Sequence, residues 1–190
     1  MDLHKESSNQ ISEDAKKFIK KEKHALIEKF ANPKKYPSVK SPFSFFMAGS
    51  PGAGKTEFSR RLVETMKPTP IVRIDADDIR EFIPQYNGKN SGLVQGAASI
   101  AVDNLNYYTL KHDQNSIIDG TLANYEIARR NIINCLNKNR QIGVFYLYQD
   151  PLIAWAFTKK REKMEGRHVP KESFIEAFFK SKENSECASP

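Results

Sequence analysis

The stretch Phe43-Ser44-Phe45-Phe46-Met47-Ala48-Gly49-Ser50-Pro51-Gly52-Ala53-Gly54-Lys55-Thr56 decides the fold. Phe43 to Ala48 is a short apolar run of the length of a buried strand, and from Lys55 to about Met66 the apolar residues recur at helical spacing. Gly49 to Thr56 between them reads G-x-x-x-x-G-K-[ST], in the strand-before, helix-after context that gives the pattern its meaning. Glycines let successive backbone N–H groups turn inward around phosphate oxygens, and the helix that follows directs its positive end at them. Lys55 then reaches the β and γ phosphates of ATP or GTP, and Thr56 is a candidate ligand for Mg²⁺. Gly49, Ser50, Pro51, Gly52, Ala53, Gly54, Lys55 and Thr56 are therefore the candidate nucleotide-binding residues. Two alternatives stand beside this: a glycine turn that only joins strand to helix, and a nucleotide loop that gates a conformational change without transferring phosphate.

Downstream the pattern alternates. Ile71–Ile74 is expected as a strand, Ala76 to about Phe82 as a short helix, and Leu93 to about Lys111 as a longer one. Ser116–Ile118 and Ile142–Tyr148 are further strands, separated by a helix from about Tyr125 to Asn137 and followed by helices near 151–165 and 171–180. Strands separated by helices predict an α/β fold of the P-loop nucleotide-kinase type, a parallel sheet with helices on both faces. Upstream, Ile11, Ala15, Phe18, Ile19, Ala25, Leu26 and Phe30 mark an amphipathic helix from Ser12, a candidate N-cap, to about Ala31, stopped by Asn32-Pro33 and Pro37. The expected organisation is an N-terminal helix and linker over residues 1–40, a kinase domain over 41–181 and an unstructured tail over 182–190.

Two acidic clusters fall at strand ends, where open α/β sheets bind ligands. Asp75-Ala76-Asp77-Asp78-Ile79-Arg80 follows one strand and Asp119-Gly120-Thr121 follows another. A carboxylate at that edge can accept the proton of an acceptor hydroxyl, and Asp77 is the candidate base, whereas Asp75 and Asp78 serve equally well as helix caps. Asp119 is a second candidate for Mg²⁺ or a strand-end polar residue, and Asp103 is either a site residue or part of a solvated helix face. Near the end, Lys159-Lys160-Arg161 and Gly166-Arg167-His168 put arginines on a helix and on the turn after it. Arg161 and Arg167 are candidates to neutralise a γ-phosphoryl group, while Lys159, Lys160 and Lys163 complement a helix C-terminus. His168 is a further candidate for a phosphate contact, but a turn histidine is more often merely exposed.

Composition sets the remaining limits. The chain has 190 residues, 30 Lys+Arg against 23 Asp+Glu, and a formal net charge of +7. Ten lysines against six acids lie in residues 1–40, so most of the excess is N-terminal. No nucleic-acid-binding motif accompanies that charge, and nucleic acid is not the expected partner. Two cysteines build no disulfide framework, and neither a secretory signal nor a membrane span is evident, so a cytoplasmic location is expected.

The ordered combination GSPGAGKT, IDADDIR, IDGT and KKREKMEGRHVP, from about Phe43 to Phe178, resembles the zeta-toxin family of bacterial kinases. The resemblance implies a Mg²⁺-dependent kinase that passes the γ-phosphate of ATP or GTP to a sugar hydroxyl of UDP-N-acetylglucosamine or a related nucleotide sugar. It implies Asp77 as base, with Lys55, Arg161 and Arg167 completing the catalytic set. Asp77, Arg80, Asp103, Asp119 and Thr121 are implied on the substrate side. Aspartate stands at 119 and 103 where the family pattern has glutamate, and the interval between the two arginines is short. The family also implies a small helical antitoxin as partner. The N-terminal helix could act in cis in the same way, although simple packing of its apolar face is preferred. A nucleotide-gated interaction module and a nucleic-acid end kinase are the competing functions.

Overall fold

The computed structural model describes residues 3–187. Four strands form one parallel sheet: β1 Phe43–Ala48, β2 Val72–Asp75, β3 Ser116–Asp119 and β4 Gln141–Tyr146, in the order β2-β3-β1-β4. Eight helices accompany them among the described residues: α1 Leu3–Lys21, α2 Lys23–Phe30, α3 Lys55–Thr65, α4 Ala76–Arg80, α5 Ser91–Lys111, α6 Tyr125–Leu136, α7 Pro151–Glu165 and α8 Lys171–Cys187. The α/β kinase-like sheet expected from the alternating pattern is the one observed.

Strand alternation assigns the two faces. Phe43, Phe45 and Met47 of β1 pack with Ile117 of β3 against Leu62, Val63 and Met66 at the end of α3. Phe46, one step out of phase, packs against Leu110 of α5 and Ile132 and Cys135 of α6. Val72 and Ile74 of β2 join a cluster built on Val94, Ala97, Ala98, Ala101 and Leu105 of α5. Ala15, Ile19, Leu26 and Ala31 are fully buried in that same cluster, so α1 and α2 share the domain's core.

Three expectations are corrected. The N-terminal helix begins at Leu3 and not at Ser12, because the Lys, Glu and Gln residues before Ser12 favour helix without needing burial. It is also interrupted at Glu22, whose φ of −93° and ψ of 31° leave the helical region. The last helix runs to Cys187 where a structureless tail was expected from 182, because Ser181 and Ser185 are buried and Asn184 donates to the carbonyls of Leu122 (2.9 Å) and Ala123 (3.0 Å). Residues 188–190 lie outside the described residues.

Polar pins hold the edge opposite the phosphate loop. Buried Arg140 donates to the Ser44 hydroxyl (2.9 Å) and to the carbonyls of Phe43 (2.7 Å), Thr109 (3.3 Å) and Gln114. Gln114 in turn donates to the carbonyls of Ala31 (2.9 Å) and Tyr36 (2.6 Å), which fastens the N-terminal connection beneath the sheet.

Candidate active site

Because all four strands are parallel, their carboxyl ends share one edge, and the loops after them surround a cleft of about 1200 Å³. That exceeds the range of roughly 300–1,000 Å³ typical of a single small-molecule pocket, so the cleft has room for a donor and an acceptor together. Among the described residues, none before Phe46 lines it. The N-terminal helix therefore packs on the far side of α5, as its apolar face suggested.

The phosphate loop is shaped by glycines where no other residue fits. Gly49 has φ +135°, and a Cβ there would stand 2.5 Å from the Leu147 carbonyl oxygen. Gly52 has φ +78° and lies flat against the Ala154 carbonyl of α7. The Gly49 N–H donates to the Thr121 carbonyl at 3.2 Å, which ties the loop to the end of β3. Lys55 is buried and donates to the carbonyls of Gly49 (2.9 Å) and Ser50 (2.6 Å). Burial lowers its pKa to about 8, although Asp119 and Asp77 pull the other way. Thr56 lines the cleft beside it.

Asp77 is the meeting point of the basic side chains. Arg80, one helical turn on, donates to its Oδ1, and Arg161 (3.2 Å) and Arg167 both donate to its Oδ2. Arg161 projects from α7. Gly166, at φ +70°, ends that helix and turns the chain back so that Arg167 reaches the same carboxylate. The short interval between the two arginines is therefore enough to bring both to one point. Arg80 also donates to Gln95 of α5, which locks the base-bearing turn against that helix. His168 faces Glu162, at 2.5 Å, and Lys159 lies over the Trp155 ring and pairs with Glu162, so both are occupied within the lid.

The other acids form a second network around a different arginine. Asp75 caps α4 by accepting the Asp77 N–H at 2.8 Å. Burial and the neighbouring Asp119 raise its pKa to about 6. Between these acids stands Arg73, which sequence reasoning missed. It donates to Asp75, to Asp78 (2.5 Å), to Asp119 (2.9 Å) and to the Ser59 hydroxyl (2.9 Å), and its side chain is only 12% exposed. Ser59 donates to Asp119 at 2.7 Å, joining α3 to the ends of β2 and β3. The trace in the sequence was a charged residue between Val72 and Ile74, on the same strand face as Asp75.

Asp119 lines the cleft but offers little to a metal. Its side chain is 3% exposed, and one oxygen already accepts from Arg73 and Ser59. Among the described residues no group of three or more His, Cys, Asp or Glu could hold a metal ion. The residues present fit a Mg²⁺ carried by nucleotide phosphates and steadied by the Thr56 hydroxyl, the usual arrangement for this weakly dehydrating ion. Thr121 and Asp103 both line the cleft. The Thr121 hydroxyl caps the turn by accepting from the Ala123 N–H at 3.3 Å, and Asp103 is half-exposed and paired with Arg130 of α6 at 2.8 Å.

The sequence model of the zeta toxin family matches residues 27–188. The chain belongs to the zeta toxin family. Among solved structures it is similar to a chain of the PezAT chromosomal toxin–antitoxin system of the human pathogen Streptococcus pneumoniae, at 23% identity and a TM-score of 0.68, covering 87% of this chain and 72% of that one. It is also similar to a chain of the Pnkp1/Rnl/Hen1 RNA repair complex, at 20% identity and a TM-score of 0.62, covering 80% of this chain and 47% of that one. A comparison with curated proteins finds no match. Family and fold together make this zeta toxin family member a P-loop phosphotransferase. Among its described residues no helix is long and apolar enough to cross a membrane.

Proposed function

We propose that this chain transfers the γ-phosphate of ATP or GTP to a sugar hydroxyl of UDP-N-acetylglucosamine or a related nucleotide sugar. The observation that carries the proposal is the convergence of Arg80, Arg161 and Arg167 on Asp77, in the same cleft as the Lys55 loop. Loop N–H groups and Lys55 take up the phosphates, and Lys55 exchanges its bonds to the Gly49 and Ser50 carbonyls for bonds to them. The lid arginines move from Asp77 to the γ-phosphoryl oxygens. The freed Asp77 carboxylate accepts the acceptor's hydroxyl proton as its oxygen bonds to phosphorus and the bond to the bridging oxygen of the nucleoside diphosphate breaks. A Mg²⁺ bound with the nucleotide, steadied by the Thr56 hydroxyl, would supply neutralisation of phosphate charge. Asp103, Asp119 and Thr121 belong to the acceptor side, with Asp119 held back by Arg73. A small helical antitoxin covering the nucleotide site is the partner that the family suggests.

Incubation with Mg-ATP and a panel of nucleotide sugars, read by mass spectrometry, tests the proposal: one member gains a single phosphate. Nucleotide binding without any product across the panel would reject it. A second reading, a kinase of polynucleotide ends, is favoured by the likeness to a chain of an RNA repair complex. An oligonucleotide with a free 5′ hydroxyl in the same panel separates the two, and phosphorylation of that oligonucleotide alone selects the second.

A further inference from the structure

A second cavity, of about 870 Å³, adjoins the cleft, and Arg80, Gln95, Thr121, Asn124 and Arg167 line both. The first turn of α5 opens on it through Ser91 and Gly92. The leading N–H groups of a helix have no partner within it and carry its positive end, so a side chain normally caps them. Asn90 stands in the capping position, but its side chain is turned back into the preceding loop. Its Oδ1 accepts from the Asn87 N–H (3.0 Å) and its Nδ2 donates to the Gln85 carbonyl (2.8 Å), which leaves α5 without a side-chain cap. The first turn holds no acid, and among the described residues no partner is found for the N–H of Ser91 or Gly92. Two buried side chains are unpartnered at the same place. Ser91 is only 8% exposed and its hydroxyl has no hydrogen bond among the described residues, yet it is not one of the sealed polar atoms and so keeps open surface. Arg80 is 6% exposed and its Nε has no partner, while its Nη2 donates to Gln95, one helical turn after Ser91. The acids of the cavity, Glu126, Glu176 and Glu183, come from α6 and α8, and Glu176 is paired with Lys180 at 2.7 Å. The α4, α5 and lid side supplies Arg80 and Arg167 and no acid.

We infer that the first turn of α5 binds a phosphate group, with the Ser91 hydroxyl and the N–H groups of Ser91 and Gly92 as its donors and Arg80 supplying positive charge beside them. A tetrahedral anion accepts several converging bonds at once, and an uncapped helix end adds its dipole to them. The site is distinct from the Lys55 loop, so it holds a phosphate that is not transferred. Two sources share that chemistry: a phosphate carried by the acceptor, reaching across from the cleft, and free phosphate. The inference concerns binding alone and holds whichever acceptor is phosphorylated.

The experiment fills the Lys55 loop with a saturating non-reacting ATP analogue and Mg²⁺, then titrates the chain with inorganic phosphate in a calorimeter. The wild-type chain binds one further phosphate. Ser91→Ala weakens it by about tenfold, the scale of one lost hydrogen bond to a charged group. A Cβ at Gly92 meets nothing within 4 Å, so Gly92→Asp places a carboxylate at the helix end without a clash. That variant loses phosphate binding, gains Tm in phosphate-free buffer, and loses more affinity than the neutral, same-shaped Gly92→Asn. No uptake by the wild-type chain, or equal affinity in all four proteins, would overturn the site. Kinetics with the acceptor that the chain phosphorylates then reads the source. A KM for that acceptor raised in Ser91→Ala and Gly92→Asp at unchanged kcat assigns the site to the acceptor's phosphate, and an unchanged KM with phosphate binding lost assigns it to free phosphate. Absence of product with every acceptor rejects the proposed reaction and leaves the phosphate titration to stand on its own.

Discussion

Asp77→Asn separates the two duties that the structure gives this residue. The change keeps the shape and removes both the proton acceptor and the charge that holds Arg80, Arg161 and Arg167. Loss of a positioned general base lowers kcat by about 10²–10⁴-fold. Nucleotide binding moves the other way. In the free protein the γ-phosphate must take Arg161 and Arg167 from Asp77, whose side chain is 26% exposed against 39% and 27% for the two arginines. At that exposure each ion pair is worth about 1 kcal/mol after solvent screening, so two pairs give about 2 kcal/mol. Release from that competition tightens a non-reacting ATP analogue by about 30-fold. ADP, which has no γ-phosphate to claim the lid arginines, changes little. Calorimetry with the ATP analogue and ADP on both proteins measures the difference. Equal shifts for the two nucleotides, or weaker binding of the analogue to the variant, would refute the coupling of base and lid.

The pKa of Lys55, lowered to about 8 by burial, makes nucleotide affinity pH-dependent. Phosphates favour the charged amine, so ATP binding takes up a proton near pH 8 and weakens as pH rises above it, which calorimetry in buffers of different ionisation enthalpy reads directly. Asp75 is raised to about 6 in the folded chain, so the folded state holds more protons than the unfolded one between the ordinary aspartate value and 6. Stability is therefore lost as pH rises through that interval, and Asp75→Asn, which can still cap α4, raises Tm relative to wild type more at pH 7.5 than at pH 5. Ile19→Ala removes a fully buried side chain from the contact of α1 with α5 and costs about 2–5 kcal/mol in denaturant unfolding. Phosphoryl transfer by the folded fraction does not rise, whereas a marked rise would revive the N-terminal helix as an internal inhibitor.

The phosphate loop was legible because its chemistry is local: glycines, lysine and threonine at fixed spacing between a strand and a helix. Asp77 was legible as an acid at a strand end, and Arg80 only through the resemblance. The convergence of Arg161 and Arg167 on Asp77 was not, because it depends on where α7 packs and on the left-handed turn at Gly166. Arg73 was obscured for a different reason. A charge within a short strand reads as a solvent-facing position, and only the registers Arg73 to Ile117 and Asp75 to Asp119 bring the acids of two strands around it. The helical extension to Cys187 was hidden because the polar side chains that stabilise it bond to carbonyls more than sixty positions away.

The two bonds that Lys55 makes to its own loop carry a consequence for ligand choice. The ammonium sits where it satisfies the Gly49 and Ser50 carbonyls, so the loop holds its own lysine in place. A nucleoside without phosphates has nothing to offer that ammonium in exchange. Only a polyphosphate can bargain the lysine away, which makes the loop a filter for the tail of the nucleotide before its base is ever inspected.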